Sequence, residues 1–113
     1  MLTQAARAYG ASQTALDPRE READVFRRVT GALRAALEQD TLARARAVAD
    51  NRRLWLAVEA ALVHPANQLP ESLRAGLLSL GRAVQREMGS AAPDLPFLIE
   101  VNEQVTAGLC GRA

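Results

Sequence analysis

Residues 17–37 read DPREREADVFRRVTGALRAAL, and this stretch decides the fold. Asp17 can cap a helix, Pro18 suits the first helical position, and Glu20 completes the spacing of a capping box. Beyond the cap, apolar side chains recur every three or four residues, which places them on one face of a helix. They are Phe26, Val29, Leu33, Ala36 and Leu37, with Val25 and Ala32 beside them. The pattern predicts an amphipathic helix that runs to about Glu38.

The next segment predicts a second helix. Asp40 or Thr41 can cap it, and it ends at His64 because a residue that precedes proline avoids the helical region. One face of its second half carries large apolar side chains at helical spacing. These are Trp55, Val58 and Leu62, with Ala61 between them. Within this helix, Asp50 and Asn51 either interrupt the regular structure or face solvent.

Three further helices complete the pattern. The third begins at residues 70–71 and carries an apolar seam. That seam consists of Leu73, Leu77, Leu80, Gly81, Val84 and Met88. The fourth begins within residues 94–96 and stops within residues 108–111, and a short extra helix over residues 3–9 precedes the other four.

The connectors between the long helices are short enough to join antiparallel neighbours. The sequence therefore predicts an all-α fold, an irregular four-helix bundle with a short extra N-terminal helix. With no break in composition, residues 1–113 are expected to form a single domain.

Alanine dominates the composition, with 23 of the 113 residues. Alanine favours helices but buries little area, so the core should be thin and its stability modest or dependent on a partner. All 14 basic residues are arginine, and 13 acidic residues leave a net charge of +1. A domain that holds phosphates usually carries a larger basic surplus.

The chemical inventory argues against catalysis and against metal or cofactor binding. The chain has one histidine, His64, and one cysteine, Cys110, too few for a His/Cys pair or a zinc site. No phosphate-binding glycine loop occurs. We interpret His64 as a surface residue at a helix end and Cys110 as an incidental thiol. With no signal peptide and no long apolar run, we expect a cytoplasmic protein that does not insert into membranes.

Arginines occur in pairs, which suggests an RNA-binding stripe as one interpretation. The alternative is a set of surface charges answered by nearby acids, such as Asp24 three and four positions before Arg27 and Arg28. The low net charge and the lack of interleaved aromatic residues make RNA the less favoured partner.

Residues 51–55 (NRRLW) form the most unusual stretch, because they contain the single tryptophan. Trp55 is interpreted as an anchor of the core. The alternative is a partly exposed tryptophan in a protein-binding site, where Trp and Arg are over-represented. The exposed fraction of Trp55 decides between the two.

An ordered set of short motifs resembles the FlaF family of flagellar biosynthesis regulators. The motifs are Ala8-Tyr9, residues 17–22 (DPRERE), 51–55 (NRRLW), 67–70 (NQLP), Leu73-Arg74, 78–80 (LSL), 98–102 (LIEVN) and Gly108-Leu109. They span nearly the whole chain. The sequence departs from the family pattern at residues 81–83 (GRA), where a bulkier, often tryptophan-containing segment is expected.

The resemblance implies a role in flagellin synthesis or secretion, with flagellin as the partner and the regulator FlbT as a possible second one. We expect a chaperone or secretion adaptor with an apolar groove for an amphipathic flagellin helix. The alternatives are an RNA-binding regulator of flagellin translation and a structural protein that dimerises through an exposed seam. The candidate partner-binding residues are Arg52, Arg53, Trp55, Asn67, Gln68, Leu69, Ile99 and Asn102. Their alternative roles are structural: Asn67 would cap the following helix, Asn102 would satisfy a buried backbone group, and Leu69 and Ile99 would belong to the core.

Overall fold

The computed structural model describes residues 18–109, and this part of the chain contains four helices and no strand. The helices are α1 (Pro18–Ala36), α2 (Thr41–Val63), α3 (Glu71–Met88) and α4 (Leu95–Leu109). The all-α class and the four-helix count predicted from the sequence are confirmed. The expected helix over residues 3–9, the cap at Asp17 and the thiol of Cys110 lie outside the described residues.

The first helix begins at Pro18, as its fixed φ angle favours, and ends two residues before the predicted Glu38. Its last turn tightens, since the amides of Leu37 and Glu38 donate to carbonyls three positions earlier, at 3.2 and 3.3 Å. Asp40 then caps α2, accepting a hydrogen bond of 2.9 Å from the amide of Ala43.

Helix α2 runs without interruption past Asp50 and Asn51. The prediction for Asn51 is wrong in both its forms, because the residue neither breaks the helix nor faces solvent and its side chain is fully buried. Asn51 lies on the same face as Leu54 and Val58, and its amide finds hydrogen-bond partners inside the protein. A satisfied amide can occupy a core position at modest cost.

The four helices form an open row in the order α4, α1, α2, α3. Helix α1 packs against both α4 and α2, and α2 packs against α3, whereas α3 and α4 make little direct contact. The largest fully buried side chains are Trp55, Phe26, Leu33, Leu54, Leu62 and Leu98. Among residues 18–109, no helix is long and apolar enough to cross a bilayer.

Candidate functional site: an apolar groove between α3 and α4

The gap between α3 and α4 is a groove of about 360 Å³. Its α3 wall consists of leucines three or four positions apart, which share one side of the helix. The lining residues are Leu73, Leu77 and Leu80 on that wall, Leu69 on the connector before it, Gln104, Val105, Gly108 and Leu109 on α4, Trp55 and Val58 at the floor, and Glu22 from α1. Apart from Glu22, Gln104 and Gly108, every lining side chain is apolar.

The groove is open to solvent along its α3 rim. Leu73 is 49% exposed, whereas most large apolar side chains of the bundle are buried. An exposed leucine by itself is ordinary, but here it continues a row of half-buried leucines into a concave surface. Covering such a surface with an apolar partner is favourable, because it removes apolar side chains from water.

Trp55 forms the rigid floor of the groove. Its ring is 1% exposed and meets the ring of Phe26 edge to face, with centroids 6.0 Å apart and planes at 88°. Its Nε1–H donates a hydrogen bond of 2.9 Å to Oδ1 of Asn102 on α4. Because Trp55 is almost completely buried, it is an anchor of the core, and the alternative of a partly exposed tryptophan is wrong.

A ladder of buried side chains continues from this bond. Asn102 Nδ2 donates to Oδ1 of Asn51 at 2.8 Å, and Asn51 Nδ2 donates to the sulfur of Met88 at 3.3 Å. Asn102 does not satisfy a backbone group, as the alternative interpretation had it; it links two side chains on α2. The ladder joins α2, α3 and α4 near the floor of the groove and leaves both amides satisfied.

Gly81 explains how α3 approaches the tryptophan. A Cβ atom at this position would lie 3.4 Å from Cε3 of Trp55. The departure from the family pattern therefore falls where α3 packs against the indole ring, and a side chain longer than alanine would have to displace that ring.

The connector after α2 holds Leu69 at the mouth of the groove. Asn67 Nδ2 donates to the carbonyl of Ala61 at 2.9 Å, and Asn67 Oδ1 accepts from the amide of Leu69 at 3.0 Å. Asn67 thus caps the helix that precedes it, and the expected cap on the following helix is wrong. Carbonyl groups in the last turn of a helix have no acceptor role within the helix, and the side-chain amide of Asn67 donates to one of them, that of Ala61.

The structure brings together only some of the candidate residues. Trp55 and Leu69 line the groove, while Asn102 accepts from the indole of Trp55 and Asn67 accepts from the backbone amide of Leu69. Ile99 is buried in the core, and Gln68 is exposed on the connector. Arg52 and Arg53 are exposed on α2 and do not line the groove. Direct contact of any of the eight with a partner stays a prediction.

The candidate residues chosen from the sequence do not include the groove walls formed by Leu73, Leu77, Leu80, Val105 and Leu109. The sequence analysis predicts the first three as part of an apolar seam but does not assign that seam to the binding groove. The available signal was the recurrence of leucine at positions 73, 77 and 80, three or four residues apart on one face of α3.

Several arginines have specific protein partners. Arg28 pairs with Asp24 at 3.1 Å, and Arg34 pairs with Glu103. Arg53 pairs with Asp50, and the guanidinium of Arg52 donates to the carbonyl of Met88 at 3.0 Å. These contacts agree with the interpretation of the arginine pairs as answered surface charges.

Polar chemistry is sparse in the described part of the chain. No group of three His, Cys, Asp or Glu residues there could hold a metal ion. His64 is exposed, as expected, and its Nδ1 accepts from the amide of Ala66 at 3.0 Å. The fold and the groove define a class of small all-helical proteins with an open apolar groove.

The family comparison narrows this class. The family model described as flagellar protein FlaF matches residues 5–109, and the chain belongs to the FlaF family. No curated protein and no solved structure matches the chain. The resemblance inferred from the ordered motifs is thereby confirmed.

Proposed function

We propose that this FlaF-family protein is a non-enzymatic cytoplasmic chaperone or secretion adaptor that binds an amphipathic helix of flagellin in the groove between α3 and α4. The observation that carries the proposal is the apolar groove itself, with its leucine wall and rigid tryptophan floor. The chain belongs to a flagellar protein family, which supports a flagellar role. The choice of flagellin, whose ends are amphipathic helices, as the partner is part of the proposal.

The dimensions of the groove suit one helix. Its α3 wall extends from Leu73 to Leu80, a helical length of about 10 Å, or two turns, and Leu69 on the connector extends the apolar lining beyond the start of the helix. A partner helix would insert apolar side chains at positions i, i+3 or i+4, and i+7. Covering the exposed leucines would remove apolar surface from water on both molecules and stabilise the FlaF-family chain by linkage.

The test is a calorimetric titration of the full chain with flagellin and with peptides from its two terminal segments. We expect saturable binding at micromolar concentrations that Leu73→Glu weakens at least tenfold. Ala75→Glu is the matched control, since Ala75 is exposed on the same helix and does not line the groove. No binding at micromolar concentrations, or equal loss in both variants, would contradict the proposal.

The salt dependence separates this function from RNA binding. Burial of apolar surface tolerates salt, whereas phosphate contacts lose affinity steeply as salt rises. Flagellin affinity should therefore change little between about 50 and 300 mM salt. Tight RNA binding with a steep salt slope, lost in Arg52→Ala and Arg53→Ala, would favour the translation regulator instead.

A further inference from the structure

The described part of the chain begins beside the groove. Helix α1 starts at Pro18, and Glu22, one turn further along, is one of the residues that line the groove. Residues 2–17 of the sequence are therefore attached to the bundle next to the groove. A segment tethered at such a point stays close to the groove, at an effective concentration on the order of millimolar.

Helix α1 is covered more completely at this end than at the other. No residue from Glu20 to Phe26 is exposed, whereas six of the ten residues from Arg27 to Ala36 are. The neighbours α2 and α4 cover one side of the helix, which accounts for the half-exposed pattern of its later turns. The fuller cover of the first turns indicates that further chain lies against α1 where it meets the groove.

Residues 2–9 (LTQAARAY) have the pattern that a helical occupant of the groove requires. Leu2, Ala5, Ala6 and Tyr9 stand at positions i, i+3, i+4 and i+7, so they share one face of a helix. The polar side chains of the segment fall on the other side of such a helix, and they are Thr3, Gln4 and Arg7. Apolar anchors at this spacing are the ones that a helix presents to an apolar groove.

The dimensions of the segment and the groove agree. Eight residues in a helix span about 12 Å, and the α3 wall from Leu73 to Leu80 spans about 10 Å. Residues 10–17 reach up to about 26 Å when extended, at about 3.3 Å per residue, which exceeds the length of the wall. Residues 2–9 can therefore lie in the groove while they remain connected to Pro18.

We propose that residues 2–9 form an amphipathic helix that occupies the groove between α3 and α4 when no partner is bound, with Leu2 and Tyr9 packed against the leucine wall. Docking covers the half-exposed Leu73 and removes apolar surface from water on both sides of the contact. The two alanines between the anchors allow the helix to approach the floor of the groove closely.

Docking makes residues 2–9 a competitor of any other occupant of the groove. A partner binds only the fraction of molecules whose groove is free, so its apparent affinity falls in proportion to that fraction. This consequence rests on the proposed binding of flagellin, whereas the docking of residues 2–9 does not. The segment keeps the apolar groove covered until a partner of sufficient affinity displaces it.

The first test is photo-cross-linking of the full chain with p-benzoylphenylalanine in place of Tyr9. This side chain keeps an aromatic ring and attaches to the groups that it contacts when it is irradiated. We expect attachment within residues 69–80 or 104–109, which carry the lining of the groove, in a product that keeps the 12.2 kDa of one chain. Leu73→Glu should reduce this attachment at least fivefold. Ala75→Glu is the matched control and should leave it unchanged, since Ala75 is exposed on the same helix outside the groove.

Three results of this experiment would overturn the proposal. Attachment only outside the groove would place residues 2–9 elsewhere on the bundle. No attachment within the chain would show that the segment is not docked. A product with twice the mass of one chain would show that the segment occupies the groove of a second copy.

The second test addresses competition by repeating the calorimetric titration with the terminal peptides of flagellin. The double variant Leu2→Gln, Tyr9→Gln loses both anchors, which should free the groove and tighten peptide binding by roughly threefold or more. Arg7→Gln changes the opposite face of the segment and should leave the affinity unchanged. Equal affinity of the double variant and the native chain would overturn the competition. A chain that gives the cross-link but binds no flagellin would contradict the proposed function and support the docking.

Discussion

The indole Nε1–H of Trp55 donates a 2.9 Å hydrogen bond to Oδ1 of Asn102, although 47 positions separate the two residues. This bond ties α2 to α4 beneath the groove and fixes the orientation of the ring that forms its floor. Asn51 on α2 accepts a hydrogen bond from Asn102, and Phe26 on α1 packs edge to face against the ring of Trp55. A groove with a rigid floor loses less entropy when it binds a partner.

We predict that Asn102→Leu lowers the free energy of unfolding by about 2–4 kcal/mol, because the Nε1–H of Trp55 and the Oδ1 of Asn51 are left buried without partners. Urea denaturation followed by circular dichroism measures the change. Glu100→Leu, on the exposed side of the same helix, should change it by less than about 0.5 kcal/mol. A loss below 0.5 kcal/mol for Asn102→Leu would show that the ladder contributes little.

The second prediction concerns coupling within the pair. Trp55→Phe removes the donor but keeps an aromatic ring, so Asn102→Leu should cost less in that background than in the native chain. A double-mutant cycle should give a coupling energy of about 1 kcal/mol or more. Additive effects would mean that the two side chains act independently.

Two glycines of α3 should respond in opposite directions. At Gly76 an added Cβ meets nothing within 4 Å, so Gly76→Ala should raise the free energy of unfolding by about 0.5–1 kcal/mol through helix propensity. Gly81→Leu should lower it by about 1–3 kcal/mol, since its side chain would run into the ring of Trp55. Thermal denaturation measures both. A stabilising Gly81→Leu would show that the close approach of α3 to the indole is not needed.

The start of α2 depends on one side chain. Asp40→Ala should cost about 1 kcal/mol, because the amide of Ala43 loses its acceptor. Asp40→Ser retains an oxygen that can accept the bond, and it should recover most of the loss in the same denaturation experiment. Equal losses in both variants would assign the effect to charge instead of capping.

Short sequence motifs predict much of the fold, whereas contacts between residues that are far apart in the chain cannot be predicted from such motifs. The proline at position 18 and the cap at Asp40 follow from short motifs, and so does the end of α2 before Pro65. The burial of Asn51 could not be predicted, because its partner Asn102 lies 51 positions away. The leucine seam of α3 was visible in the sequence, but its partial exposure arises because α3 and α4 do not close against each other.

The most direct test of the groove is hydrogen–deuterium exchange of the full chain with and without flagellin. The account predicts slower amide exchange over residues 69–80 and 104–109, the two walls of the groove, when flagellin is saturating. The same regions in the Leu73→Glu variant should show no slowing. Flagellin binding that leaves exchange in both walls unchanged would contradict the central claim.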